Sequence, residues 1–205
     1  MDCVRCPQLA ATRTQIVWGT GPEPADLMLV GDVPSRGDDA SGTPFTGAAG
    51  ALVDELLARI GRSRADVYLT QSLLCRPPDN RDPLPQETAN CGHWRDAQLA
   101  AVRPVVVCAL GNLATRVLRG SGAGVARLHG RAEVRTIGPL AVRLLPLFHP
   151  AAALYAAALR ETLIADFAQV PELLALGPPD QPAPAPAPAP APRVVPEPEG
   201  QLGLF

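Results

Sequence analysis

No apolar stretch of the 205-residue chain approaches the roughly 20 residues a membrane helix needs, so a spanning segment is not expected. Met1-Asp2-Cys3 shows nothing like a signal peptide, and the expectation is a cytoplasmic protein whose thiols stay reduced. Lysine is missing altogether: all 18 cationic side chains are arginine. That bias by itself reads as codon usage, because a nucleic-acid surface needs clustering that linear order does not display. Net charge is also small, at a formal −2. Residues 1–176 balance 17 Arg against 17 acidic side chains, so the acidic excess belongs to the tail, where Arg193 stands against Asp180, Glu197 and Glu199. No domain-scale internal repeat is present.

What the chain does have is apolar content, 47% of its residues, enough for one substantial core. Ala25 to Asp32, Val67 to Gln71 and Val105 to Leu110 read as short buried strands, and Arg131 to Leu147 as two more around the turn at Gly138-Pro139. Between them lie helical patterns. Leu52, Val53, Leu56, Leu57 and Ile60 recur at helical spacing before Gly61; further helices are expected from Pro85 through Trp94 to Leu99, near Asn112 to Leu118, and after Pro150. Strands alternating with helices predict an α/β fold with a mainly parallel sheet. Ligands in such sheets bind beyond the carboxyl ends of the strands. Here those ends carry Gly31-Asp32, Gln71 and, after the last strand, His149.

Beyond residue 176 the composition shifts abruptly. Alternating Pro and Ala from Pro182 to Pro192 cannot build a core and predict an extended spacer over 177–200, leaving 1–176 as the single domain.

Five cysteines are present, and four fall into two groups, Cys3-x2-Cys6 and Cys75-x15-Cys91. Together they can supply one tetrathiolate site joining the N-terminus to the middle of the chain, and soft sulfur selects zinc or an iron–sulfur cluster over hard cations. Two disulfides or unrelated core thiols are the alternative. Cys108, inside the run Val105 to Leu110, reads as a small buried hydrophobe.

Four segments in order carry a family likeness. The string from Gly31-Asp32-Val33-Pro34-Ser35 through Asp38-Asp39 to Thr43-Pro44-Phe45-Thr46-Gly47 closely resembles the first signature loop of family 4 uracil-DNA glycosylases. Cys3-Val4-Arg5-Cys6-Pro7 with Thr12-Arg13-Thr14-Gln15, then Cys75-Arg76-Pro77-Pro78-Asp79-Asn80-Arg81, and finally Phe148-His149-Pro150 are similar to three further motifs of that family. The resemblance covers roughly residues 1–175. It implies a three-layer α/β/α sandwich, a [4Fe-4S] cluster on Cys3, Cys6, Cys75 and Cys91, and excision of uracil from DNA by a monomer.

The residues suit that chemistry, since a glycosylase takes its base out of the stack, reads the base edge, and stabilises charge as the N-glycosidic bond breaks. Phe45 offers a stacking face, or is simply core. Gly31 and Val33 would let backbone approach the base, and the Gln71 amide can both donate to and accept from a uracil edge. His149 can donate to the uracil oxygen that becomes negative, or be a packed turn residue. Asp32 can orient water or stabilise a cationic sugar, or cap its loop. Asp38 would sit beside the pocket, in the way of a thymine methyl. Asn80 serves the site or only its turn. Leu154 and Tyr155 would wedge into the gap left by the flipped base, or pack the first turn of a helix.

The likeness has exceptions. Asp32 stands where the family usually has Glu, Ser35 where it has Gly, Gln71 where it has Asn, Ala151 where Ser is frequent and Tyr155 where Arg is. These leave open a glycosylase for another deaminated base, or a non-catalytic iron–sulfur DNA-binding protein. The Arg76–Pro85 loop lacks the basic, histidine-bearing insertion of related enzymes that bond covalently to the abasic product. Gln201-Leu202-Gly203-Leu204-Phe205 resembles the pentapeptide by which bacterial repair proteins dock on the DNA sliding clamp: Leu202, Leu204 and Phe205 would fill an apolar groove while Gln201 makes polar contacts.

Overall fold

The apolar runs all enter one sheet. A computed structural model describes residues 3–182; the spacer beyond Pro182 and the clamp-like residues Gln201, Leu202, Leu204 and Phe205 lie outside the described residues. In chain order the elements are α1 (Pro7–Thr12), β1 (Leu27–Gly31), α2 (Arg36–Ser41), α3 (Gly47–Arg59), β2 (Tyr68–Gln71), α4 (Pro85–Val102), β3 (Val106–Leu110), α5 (Asn112–Arg119), α6 (Val125–Leu128), β4 (Glu133–Ile137), β5 (Leu140–Leu147), α7 (Pro150–Ala153), α8 (Ala157–Phe167) and α9 (Val170–Ala175), with short 3-10 turns at Arg64–Asp66 and Pro78–Asn80.

The sheet runs β2-β1-β3-β5-β4, parallel except for β4, which returns antiparallel to β5 through the tight turn whose Gly138 has φ 56°. Every residue of β1, β2 and β3 is buried, as strands covered on both faces must be. Period-2 alternation divides their side chains between two cores. Leu27, Leu29, Cys108 and Leu110 meet Leu52, Val53, Leu56 and Leu57 of α3 with Leu163 and Phe167 of α8. Met28, Val30, Val107 and Ala109 meet Leu99 and Val102 of α4 with Ala114 and Leu118 of α5. The fold is therefore the expected α/β/α sandwich. No helix among the described residues is long and apolar enough to cross a membrane.

Three differences from the sequence reading bear on the site. The signature loop contains a helix, α2, because Ser35 and Asp38 form a reciprocal capping box and Gly42 closes the helix in the left-handed region at φ 73°. The alanine-rich helix after Pro150 is three helices, broken where Ala156 takes an extended backbone between α7 and α8. The spacer assigned from Gly177 starts out attached: Arg143 donates to the Gly177 carbonyl, and the Gln181 amide exchanges hydrogen bonds with both backbone groups of Ala141 (3.1 and 3.0 Å).

Candidate active site

Parallel strands deliver their carboxyl ends to one rim. Gly31 and Gln71 are register partners on β1 and β2, Asp32 follows β1, Gly111 follows β3, and His149 follows β5. The Ser72 hydroxyl donates to the Gly31 carbonyl at 2.9 Å and the Leu73 N–H to that of Asp32, which locks the exit of β1 against the continuation of β2.

Asp32 turns toward the start of α5, where the Ala114 N–H donates to its Oδ1 at 2.8 Å. The approach requires a glycine at 111: its φ is 110°, and a Cβ there would fall within 2.6 Å of the Asp32 carboxyl carbon. Sequence reasoning missed Gly111, although a Gly-Asn pair between a strand and a helix is the signal that marks such a turn. Burial pushes the Asp32 carboxyl above its usual range, opposed by the N–H groups of Ala114, Leu113 and Asn112 and by the charge of His149.

His149 is the N-cap of α7, and the Ala151 N–H donates to its Nδ1 at 3.1 Å. An acceptor at Nδ1 places the proton on Nε2, which has no partner among the described residues. Burial pulls the imidazole below its ordinary value, while the carboxylates of Asp32 and Asp38 oppose that fall. At neutral pH the ring is therefore uncharged, with one N–H free to donate.

Phe45 is buried to 3% exposure, its ring plane 26° from that of His149 and the centroids 6.4 Å apart. A Cβ added to Gly31 would overlap Gln71 Oε1 and lie 2.8 Å from the tip of the Phe45 ring, so the bare backbone of Gly31, the aromatic edge and the amide converge. Gln71 is 4% exposed, and its Oε1 has no hydrogen-bond partner. A buried acceptor left unsatisfied is costly, and its usual explanation is a ligand or water that completes it.

Asp38, Val33 and Asn80 are engaged by contacts of their own. Both oxygens of Asp38 are engaged within the loop, Oδ2 by the Ser35 N–H and Oδ1 by the Thr46 N–H (2.8 Å) and hydroxyl (2.6 Å). Asp38 thus holds the Phe45 loop in shape, and it reaches the pocket only through its field at His149. Val33 packs beside the cysteines with Ile16 and Trp18. Asn80 is exposed in a left-handed turn at φ 53°, its Oδ1 accepting from Arg76 Nε and Nη2, which is the turn role. Leu154 and Tyr155 do not pack a helix turn: they stand 42% and 91% exposed just beyond α7.

Cys75 and Cys91 are buried with Leu9, Leu73 and Leu74, and Cys6 packs on the same cluster. All five cysteines are free thiols. Cys3, Cys6, Cys75 and Cys91 are close enough that charge on one raises the pKa of Cys75 and Cys91, although burial is the larger cause and pushes the Cys91 thiol up to about 11. N–H donors already point at sulfur: Arg13 Nη1 at Cys75 Sγ (3.2 Å) and Asn90 Nδ2 at Cys6 Sγ (3.5 Å). Trp94, packed on this cluster, keeps a buried Nε1–H without a partner. Among the described residues, no three His, Cys, Asp or Glu side chains gather into a group that could hold one metal ion.

Three type-4 uracil-DNA glycosylases match most of the chain. The type-4 uracil-DNA glycosylase of Archaeoglobus fulgidus is 42% identical over 178 residues, covering 84% of this chain and 88% of that protein. The type-4 enzyme of Sulfurisphaera tokodaii is 34% identical over 178 residues (84% and 80%), and that of Thermotoga maritima 38% over 149 residues (72% and 76%). A sequence profile described as the uracil DNA glycosylase superfamily matches residues 18–169, from before β1 to beyond α8, and the chain belongs to that superfamily.

Proposed function

We propose that this protein excises uracil from DNA by hydrolysing the N-glycosidic bond. One observation carries the reading: a neutral imidazole with a free Nε2–H stands in the field of a buried carboxylate, across the same rim as an unpartnered amide oxygen. A flipped uracil lies against Phe45, its N3–H satisfies Gln71 Oε1, and its O4 accepts from the same amide. As the bond from C1′ to N1 breaks, its electron pair passes to the base, and His149 Nε2–H donates to the oxygen that takes up the charge. The cation left on the sugar faces Asp32, which also orients the water that adds to C1′ and takes the proton that water loses, the same proton equivalent neutralising the released uracil anion. The products are free uracil and an abasic site. Exposed Leu154 and Tyr155 fill the gap in the stack. The purified protein should release uracil from single- or double-stranded oligonucleotides; release of another deaminated base with uracil untouched would reassign the substrate, and release of none would leave a DNA-binding protein.

The four cysteines are proposed to hold a [4Fe-4S] cluster. The donor set fits in kind: Cys6, Cys75 and Cys91 meet in one apolar cluster with Cys3 near enough for its charge to be felt there, Arg13 and Asn90 donate to sulfur, and a cluster asks for one thiolate at each of four irons rather than a knot around one ion. Bound there, the cluster would cross-link α1, α4 and the exit of β2 without entering the reaction. Protein purified without oxygen should be brown and contain iron and sulfide; a colourless, folded protein with one zinc would reject the cluster.

The last five residues are proposed to dock on a sliding clamp, with the protein acting as a cytoplasmic monomer. A tether raises local concentration without touching the active site. Deleting 201–205 should abolish clamp binding and spare excision from short oligonucleotides; equal clamp affinity of the two forms would reject the tether.

A further inference from the structure

Phe45 occupies a conformation that an aromatic residue seldom takes, with φ 57°. Such a backbone persists only where its surroundings fix it. Here the fixing group is Arg64, the first residue of the 3-10 turn after α3. Its Nη2 donates to the Phe45 carbonyl at 2.7 Å and to the Gly50 carbonyl at 3.3 Å, and its Nη1 donates to the Pro44 carbonyl at 3.4 Å. Asp54, one α3 turn beyond Gly50, pairs with Nε and sets the plane of the guanidinium. Only a planar fork can serve three carbonyls and a carboxylate at once. The socket also needs Gly50, where a Cβ would overlap the Phe45 carbonyl and approach Arg64 Nη2 to 2.9 Å. None of these groups is bonded to Asp32, Gln71 or His149.

We propose that Arg64 is a positioning residue for base recognition: by gripping the carbonyls of Pro44 and Phe45 from behind, it holds the Phe45 ring between Gly31 and His149. The inference rests on the glycosylase reading for its kinetic consequence but not for its geometry. Freed of the guanidinium, Phe45 relaxes to negative φ and its ring leaves Gly31. Stacking acts on the base before and during bond breakage alike, so its loss raises KM more than it lowers kcat.

The test uses the full chain and a uracil-containing single-stranded oligonucleotide. Arg64→Met should raise KM about tenfold, equivalent to about 1.4 kcal/mol, with kcat little changed. Arg64→Lys, with one donor point in place of a fork, should recover part of that. In a Phe45→Ala background Arg64→Met should add nothing further, because contacts that work through one another are not additive. A readout independent of activity is the nuclear Overhauser effect between the Gly31 Hα and Phe45 Hζ protons, present in the wild type and lost in Arg64→Met. If Arg64→Met does not fold, Asp54→Asn should produce a smaller change of the same kind. Persistence of the Overhauser effect in the folded variant, or an equal KM increase with and without Phe45, would overturn the proposal. Loss of that effect in a protein whose wild type releases no uracil supports the positioning role and removes the glycosylase reading instead.

Discussion

His149→Ala is expected to lower the rate of uracil release by on the order of 10²–10³, the usual loss for one donor aimed at developing negative charge. Affinity for uracil-containing DNA should change far less, since the bond strengthens only as charge moves onto the base. The substitution also removes the cap that His149 Nδ1 provides for the Ala151 N–H, which should cost about 1 kcal/mol of stability. The two roles can be pulled apart. His149→Asn restores an N-cap acceptor but is too short to carry a donor to the position of Nε2, so stability should recover while the rate stays low. Single-turnover excision beside thermal unfolding of the two variants checks this; near-normal turnover in folded His149→Ala would remove the imidazole from the mechanism.

Asp32→Asn should cost about 10²- to 10⁴-fold in rate, within the range for groups that move or orient protons, and should make the protein more stable at neutral pH. The folded pKa of Asp32 lies above its unfolded value, so its contribution to stability is complete below the ordinary carboxylate range and lost as the pH rises through the folded value. Asparagine keeps an oxygen for the Ala114 N–H without carrying that charge. Calorimetry should therefore show a higher Tm for Asp32→Asn near pH 7 and no advantage at acid pH, where the wild-type carboxyl is protonated. In the wild type burial of the Asp32 carboxyl should place the acid limb of activity above the ordinary carboxylate range. A variant less stable than the wild type at pH 7 would contradict the burial cost assigned to Asp32.

The central strands were legible because Val105 to Leu110 and its counterparts are apolar in a way only doubly covered strands need to be. Asp32, Gln71 and His149 were legible for a related reason: the topology obliges whatever follows a parallel strand to stand at the rim. Chemistry that depends on distant partners was not. The N–H that receives Asp32 lies 82 residues away, and nothing around Asp38 announces that Thr46 will consume its oxygen. Gly50 is silent for the same reason, since its function is the room it leaves. Asn80, which the sequence left between the site and its own turn, has its side-chain oxygen taken by Arg76 within that turn.

The hydrogen bonds between Gln181 and Ala141 fix where the chain departs. Ala141 lies near the amino end of β5, six residues before the end that leads to His149, and at about 3.3 Å per residue the two stand about 20 Å apart along the strand. Chain that continues from Gln181 therefore sets out from the heel of the molecule, at the end of β5 remote from His149.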